Sequence, residues 1–146
     1  MPYRIVYGRL VQQYVEERTH GVYGPLLQAI GLEKSHRIIA GVVFEEWNGK
    51  SLVCHIAADR LTREFLEIAS DYAYNRCGVW KIIAPVFSDN ERGKRFVRKF
   101  GFQLEAQIRE ATASGDILLF TMTRQQCRYL KEKMDHRQIR TSPASA

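Results

Sequence analysis

Glu45 and His55 stand on either side of an Asn48-Gly49 turn, and either side chain can serve as a proton acceptor. A general base must lie within reach of the proton it removes, and an imidazole titrates close to neutrality without help. Each residue also has a plainer role open to it, a strand-end carboxylate for Glu45 and a half-buried ring for His55. Glu46 is a weaker third candidate beside them. A different chemistry attaches to Arg60-Leu61-Thr62-Arg63 and to Asn90, which stand where helical patterns begin. The first backbone N–H groups of a helix have no internal partner and attract anions, while Thr or Asn there can also act as a cap. The thiols of Cys54 and Cys127 have no obvious base near them in sequence, so packing is their expected use. Three cysteines and four histidines, all scattered, give neither a zinc spacing nor a disulfide frame, so no metal is expected.

Charge adds to this picture. The net +6 is concentrated: residues 91–99 hold five basic side chains against one acid, and residues 124–140 hold six against two. The rest of the chain is slightly acidic. Basic patches on a near-neutral body suit anionic partners, either cofactor phosphates or a nucleic acid. A solvated helix face and a basic tail are the ordinary alternatives. No aromatic stacking platform or recognition-helix motif is evident, so nucleic acid is the less favoured partner.

The elements that must position these residues can be read from periodicity and turn chemistry. At 146 residues, one domain is expected. Tyr3–Tyr7 reads as a strand, Gly8–Arg18 as a helix, and His20–Pro25 as a loop. Leu26–Leu32 and Arg37–Trp47 read as strands joined by a turn at Glu33–His36. Asn48-Gly49 predicts a hairpin into Ser51–Ala58, since both turn residues tolerate positive φ. Leu61, Phe65, Ile68, Ala69, Tyr72 and Ala73 share one helical face, which predicts a helix over Leu61–Arg76 capped by Thr62 or Asp59 and closed at Gly78. Trp80–Phe87 is a buried strand, and Asn90–Phe100 a basic helix ended by Gly101. Phe102, Leu104, Ala106 and Ile108 alternate with polar residues as a half-buried strand would. Ile117–Thr123 is the last strand, and a short helix is expected over Gln125–Lys133. The middle strand–helix–strand series implies one parallel pair in an otherwise antiparallel sheet, and a crevice where it diverges.

Three pieces of this sequence resemble the GNAT superfamily of acyl-CoA-dependent N-acetyltransferases, in particular small phage- and prophage-encoded members. The first is Ala29–Leu32 followed by Ile39–Glu45. The second is Cys54–Ala58 leading to Leu61-Thr62-Arg63-Glu64-Phe65-Leu66 and Asp71–Tyr74. The third is Asn90, a helix, and then Lys99-Phe100-Gly101-Phe102. Asn90 precedes Gly101 by eleven positions and follows Gly78 by twelve, as in that family. The resemblance implies a single α+β domain over residues 1–134, with a mixed, mostly antiparallel sheet, flanking helices and a V-shaped splay between two parallel strands. Residues 135–146 would be a flexible basic tail. It also implies direct acetyl transfer from acetyl-CoA to an amine in a ternary complex. Ile56, Ala57, Ala58, Leu61, Thr62, Arg63, Asn90, Gly93 and Lys94 would hold the cofactor, with Lys94 and Arg95 near its ribose phosphate. Glu45 and His55 would be the catalytic candidates.

The chain departs from the family pattern in three places. The usual phosphate loop, Q/R-x-x-G-x-G/A, has no counterpart, because no glycine lies between Ser51 and Cys77. Val97 stands where many relatives carry a tyrosine as general acid, and Gly93 where several carry alanine or serine. These departures leave a degenerate fold-mate with an interaction or virion role as an alternative. No apolar run approaches the roughly 18 residues of a membrane span, and the first ten residues have no secretory pattern. A cytoplasmic protein, monomer or homodimer, is expected. The acceptor amine stays open at this stage.

Overall fold

The computed structural model describes residues 2–130. The strands are β1 (Tyr3–Tyr7), β2 (Gln28–Lys34), β3 (Arg37–Glu45), β4 (Ser51–Ala58), β5 (Lys81–Phe87), β6 (Gln103–Thr112) and β7 (Gly115–Thr123). The helices are α1 (Arg9–Thr19), α2 (Arg63–Asp71) and α3 (Glu91–Phe100). The strands form one sheet in the order β1-β2-β3-β4-β5-β7-β6, in which only β4 and β5 are parallel. The expected α+β architecture is therefore present, including the parallel pair. None of the described helices is long and apolar enough to cross a membrane.

The two faces of the sheet are covered unequally. One face carries the larger core, where Phe65 and Ala69 of α2 and Val97 and Phe100 of α3 meet Val42, Phe44, Leu52, Ile82 and Phe120. On the other face α1 lies over β2, β3 and β4 through Val11, Tyr14 and Val15. Gly31 and Gly41 face each other across β2 and β3 and make that close approach possible. A Cβ on Gly31 would meet Val11 Cγ2 at 2.6 Å, and one on Gly41 would meet Val15 Cγ2 at 2.9 Å. The helix rests in a saddle made by two missing side chains.

Several local expectations are corrected. The strand expected over Leu26–Leu32 is shifted, running Gln28–Lys34, and Ser35 and His36 alone make the turn with φ of 53° and 63°. Such paired left-handed residues match the twist of a two-residue hairpin. Asn48 works through its side chain instead of its φ: Oδ1 accepts from Lys50 N and Ser51 N at 2.9 and 2.8 Å. The helix expected over Leu61–Arg76 is α-helical only to Asp71 and then widens to a π turn over Tyr72–Arg76. β6 is exposed along nearly all its length, with Leu104 and Ile108 about half exposed, because none of the described helices lies over it and register shifts break its pairing toward both ends. The helix expected over Gln125–Lys133 is a single 3-10 turn, Arg124–Gln126, within the described residues. Residues 131–133 and the tail over 135–146 lie outside them.

Arg124 has no exposed surface. Its guanidinium donates to Tyr74 O, to Val79 O at 3.2 Å and to Asn75 Oδ1 at 2.9 Å, satisfying the carbonyls released where α2 widens and ends. No carboxylate pairs with it among the described residues.

Candidate active site

β4 and β5 pair through three rungs, Ser51–Lys81, Leu52–Ile82 and Val53–Ile83, and then part. A cleft of about 240 Å³ opens through the sheet beyond them, between Cys54–Ile56 and Ala84–Phe87. The Thr19–Tyr23 loop borders it on one side and Asn90, Gly93 and Val97 on the other. A second chamber of about 180 Å³ continues along Ile56–Asp59, sharing Thr19, Ile56, Asn90 and Gly93 with the first. Farther out, an open groove of about 560 Å³ lies at the start of α2, bordered by Arg60–Arg63, Lys99, Arg128 and Tyr129.

The sequence candidates for proton transfer meet in this region. Val43 opposes His55 and Glu45 opposes Val53 in the β3–β4 register, so Glu45 and His55 are diagonal neighbours on one face. Glu45 Oε2 lies 2.6 Å from His55 Nε2, with both side chains nearly closed to solvent at 13% and 11% exposure. Gly24 N–H donates to the other carboxylate oxygen at 3.3 Å. Tyr23 stacks flat on the imidazole, 3.7 Å between centroids and 11° between planes. Its own backbone is held by Glu16 and Gln12 of α1, and its hydroxyl by Thr19 Oγ1 at 2.6 Å. Burial lowers the pKa of His55 below the ordinary imidazole value, while the hydrogen bond to Glu45 works in the opposite direction. The ring is therefore neutral at neutral pH. Assigned from this network, Nε2–H donates to Glu45 and the Nδ1 lone pair is the basic atom.

The anion-binding candidates occupy the other chambers. Thr62 caps α2, its Oγ1 accepting from Phe65 N at 3.2 Å. Arg63 begins the helix, pairs with Glu67 at 3.2 Å and lies over the Tyr129 ring. Leu61 lines the same groove. Ile56, Ala57 and Ala58 border the second chamber from β4, with Ala57 and Ala58 buried. Asn90 caps α3 by accepting from Gly93 N at 2.9 Å, and both line the two inner chambers. The missing side chain of Gly93 leaves room for the capping amide, since a Cβ there would come within 2.5 Å of Asn90 Nδ2. Lys94 is not brought to the clefts. Its Nζ donates to Ser88 O at 2.7 Å and pairs with Glu91 at 2.6 Å, tying α3 to its own entry turn. Arg95 borders a separate outer groove with Arg92, Arg98, Lys99 and Arg128.

Sequence reasoning gave no site role to Tyr23, Asp59 or Tyr14. Tyr23 fixes the His55 ring, and its only sequence signal was its place in a loop with Gly21, Gly24 and Pro25. Asp59 accepts from Tyr14 Oη at 3.1 Å and lies 3.6 Å from Arg18 and 4.0 Å from Arg92, joining α1 and α3 across the second chamber. Burial, reinforced by the bond to Asp59, pushes the Tyr14 phenol up to about 12, so it stays protonated. Cys54 reaches the cleft, but burial pushes its thiol up to about 12, which rules out a thiolate nucleophile at neutral pH.

Known proteins converge on the same fold. The family model described as an acetyltransferase (GNAT) domain matches residues 35–116, from the β2–β3 turn into β7. A spermidine/spermine N-acetyltransferase of Vibrio cholerae is 13% identical, with 84% of this chain and 95% of that one aligned at a TM-score of 0.65. A candidate acetyltransferase of Salmonella typhimurium, solved with its cofactor acetyl-CoA, is 13% identical over 83% of this chain and 93% of its own, TM-score 0.62. A spermidine N-acetyltransferase of Vibrio cholerae in complex with CoA and spermine is 18% identical over 68% and 66%, TM-score 0.59. No curated protein matches the sequence.

Proposed function

The chain belongs to the acetyltransferase (GNAT) domain family, and on that footing we propose that it transfers an acetyl group directly from acetyl-CoA to an amine in a ternary complex. The observation that carries this reading is the Glu45–His55 pair, 2.6 Å apart, beside the point where β4 and β5 separate. The start of α2, with its free backbone N–H groups and the nearby Arg60, Arg63, Lys99 and Arg128, would hold the cofactor phosphates. Ile56–Ala58 on one side and Asn90 and Gly93 on the other would hold the arm, which would carry the thioester to the inner cleft.

An alkyl amine is protonated near neutral pH and has no lone pair to attack with. His55 Nδ1 takes that proton, and Glu45 steadies the imidazolium that forms. The amine nitrogen then bonds to the thioester carbonyl carbon, the carbon–sulfur bond breaks, the thiolate leaves, and the nitrogen sheds its second proton to water as the amide forms. Val97 is buried and supplies no proton at the leaving sulfur, so water or the proton held by His55 completes the thiol. The Leu61–Leu66 segment is read as the small phage type, and the free thiols of Cys54, Cys77 and Cys127 suit a reducing, cytoplasmic setting. Calorimetric titration with acetyl-CoA tests the proposal. Binding is expected, weakened at least tenfold when Arg60 and Arg63 are both changed to alanine. No binding at millimolar acetyl-CoA would sink it.

A further inference from the structure

The chambers differ sharply in charge. The second chamber and the open groove beyond it are bordered by Arg18, Arg60, Arg63, Arg92, Lys99 and Arg128, against a single carboxylate, Asp59. The inner cleft is bordered by Val22, Tyr23, Pro85, Phe87, Ile117 and their neighbours, and none of its described lining residues is Asp, Glu, Lys or Arg. Glu45 stands behind His55 with one oxygen engaged by the imidazole and the other by Gly24 N–H. Just outside, Asp89 accepts from Ser114 Oγ at 2.7 Å, and Asp116 from Glu110 N and Gln107 Nε2.

The sheet continues this apolar character away from the cleft. On the face that α1 occupies over β2 to β4, the register sets Phe87 beside Ile117 and Ile117 beside Ile108. It likewise sets Pro85 beside Leu119 and Leu119 beside Ala106. These two cross-strand rows start at the cleft wall and run out to β6, where Ile108 is about half exposed.

Resting on the acetyl-transfer reading, we infer that the acceptor is a monoamine on an uncharged, apolar body. Its single amine goes to His55, and its body lies against Tyr23, Phe87 and Ile117 and along the two rows. A second ammonium drawn into this cleft would leave water with no carboxylate among the lining residues to meet it, which disfavours polyamines. Small arylalkylamines and the N-terminal amine of a peptide beginning with an apolar residue share this chemistry.

Thiol release at saturating acetyl-CoA should be followed with phenylethylamine, Phe-Ala amide, putrescine and spermidine, alongside calorimetric titration with acetyl-CoA alone. Phenylethylamine or the peptide is expected to exceed both polyamines in kcat/KM by on the order of 100-fold, the scale set by an unpaired buried charge. The better of the two identifies the source. Ile117→Glu should narrow that ratio at least about tenfold, whereas Ile117→Gln, of similar shape without the charge, should not. Spermidine turned over as well as the monoamines overturns the inference, as does turnover of none of the four by protein that binds acetyl-CoA. Failure to bind acetyl-CoA overturns the parent reading instead.

Discussion

Glu45→Gln gives the sharpest test of the catalytic pair. The substitution keeps the side chain's size but removes the charge 2.6 Å from His55 Nε2. A hydrogen bond to a charged group is worth roughly 1.5–3 kcal/mol. At about 1.4 kcal/mol per decade, its loss costs roughly 10- to 150-fold in kcat if the imidazolium is fully formed in the transition state. The same loss shows in the pH profile. Burial already lowers the pKa of His55 below the usual imidazole range, and Glu45 opposes that shift. Catalysis requires the neutral ring, so kcat in the native protein should be flat above about pH 6.5 and decline below it. Without the carboxylate the imidazolium is less stable, and the acid limb should move down by roughly one to two pH units even as the plateau falls. His55→Gln should cost about 10²- to 10⁴-fold. The double variant should be no slower than His55→Gln alone, because the carboxylate acts only through the ring. The assay is thiol release at saturating acetyl-CoA and acceptor from pH 5 to 9. An unmoved acid limb in Glu45→Gln, or losses that multiply in the double variant, would refute the pairing.

Two further predictions concern the frame. Gly31→Ala forces a methyl against Val11 Cγ2 and within 3.2 Å of the Ala40 carbonyl, so overpacking should lower stability by about 1–3 kcal/mol in urea unfolding. A variant as stable as the native chain would mean that α1 is not seated by the glycine pair. Arg124→Ala leaves the Tyr74 and Val79 carbonyls unpaired in the core, at about 1–3 kcal/mol each. A drop in unfolding free energy of under 1 kcal/mol would show that water or a neighbouring group replaces the guanidinium.

How much of this could be read from the chain depends on the range of the interaction. The caps of α2 and α3 are local, and Thr62 and Asn90 stood in the sequence as they stand in the fold. So was the chain reversal at Asn48, although its side-chain oxygen and not its φ makes the turn. The π turn after Asp71 is not local. It is associated with Arg124, about fifty residues away, and with Trp47 Nε1 donating to Cys77 O at 3.0 Å. The alternation in β6 suggested one covered face, but the bulge between Leu104 and Ala106 puts Leu104 on the opposite side from Ala106 and Ile108, and periodicity does not say whether anything lies over a strand. Glu45 and His55 were candidates one at a time. Their union needs the β3–β4 register, and the Tyr23 stack needs a loop brought in from the far end of α1.

The three rungs between β4 and β5 also have a mechanical consequence. They divide seven strands into a group of four and a group of three, and the closed end of the wedge is reinforced by Trp80 N bonding to Lys50 O and Arg124 N to Trp80 O. Past Val53 and Ile83 the facing backbone amides have no strand to hold them. The molecule therefore has a compliant seam along the line where the reactants meet. A ligand lying in that seam acts as a splint between the two groups, so occupancy should slow amide exchange in both walls together and make resistance to unfolding depend on ligand concentration.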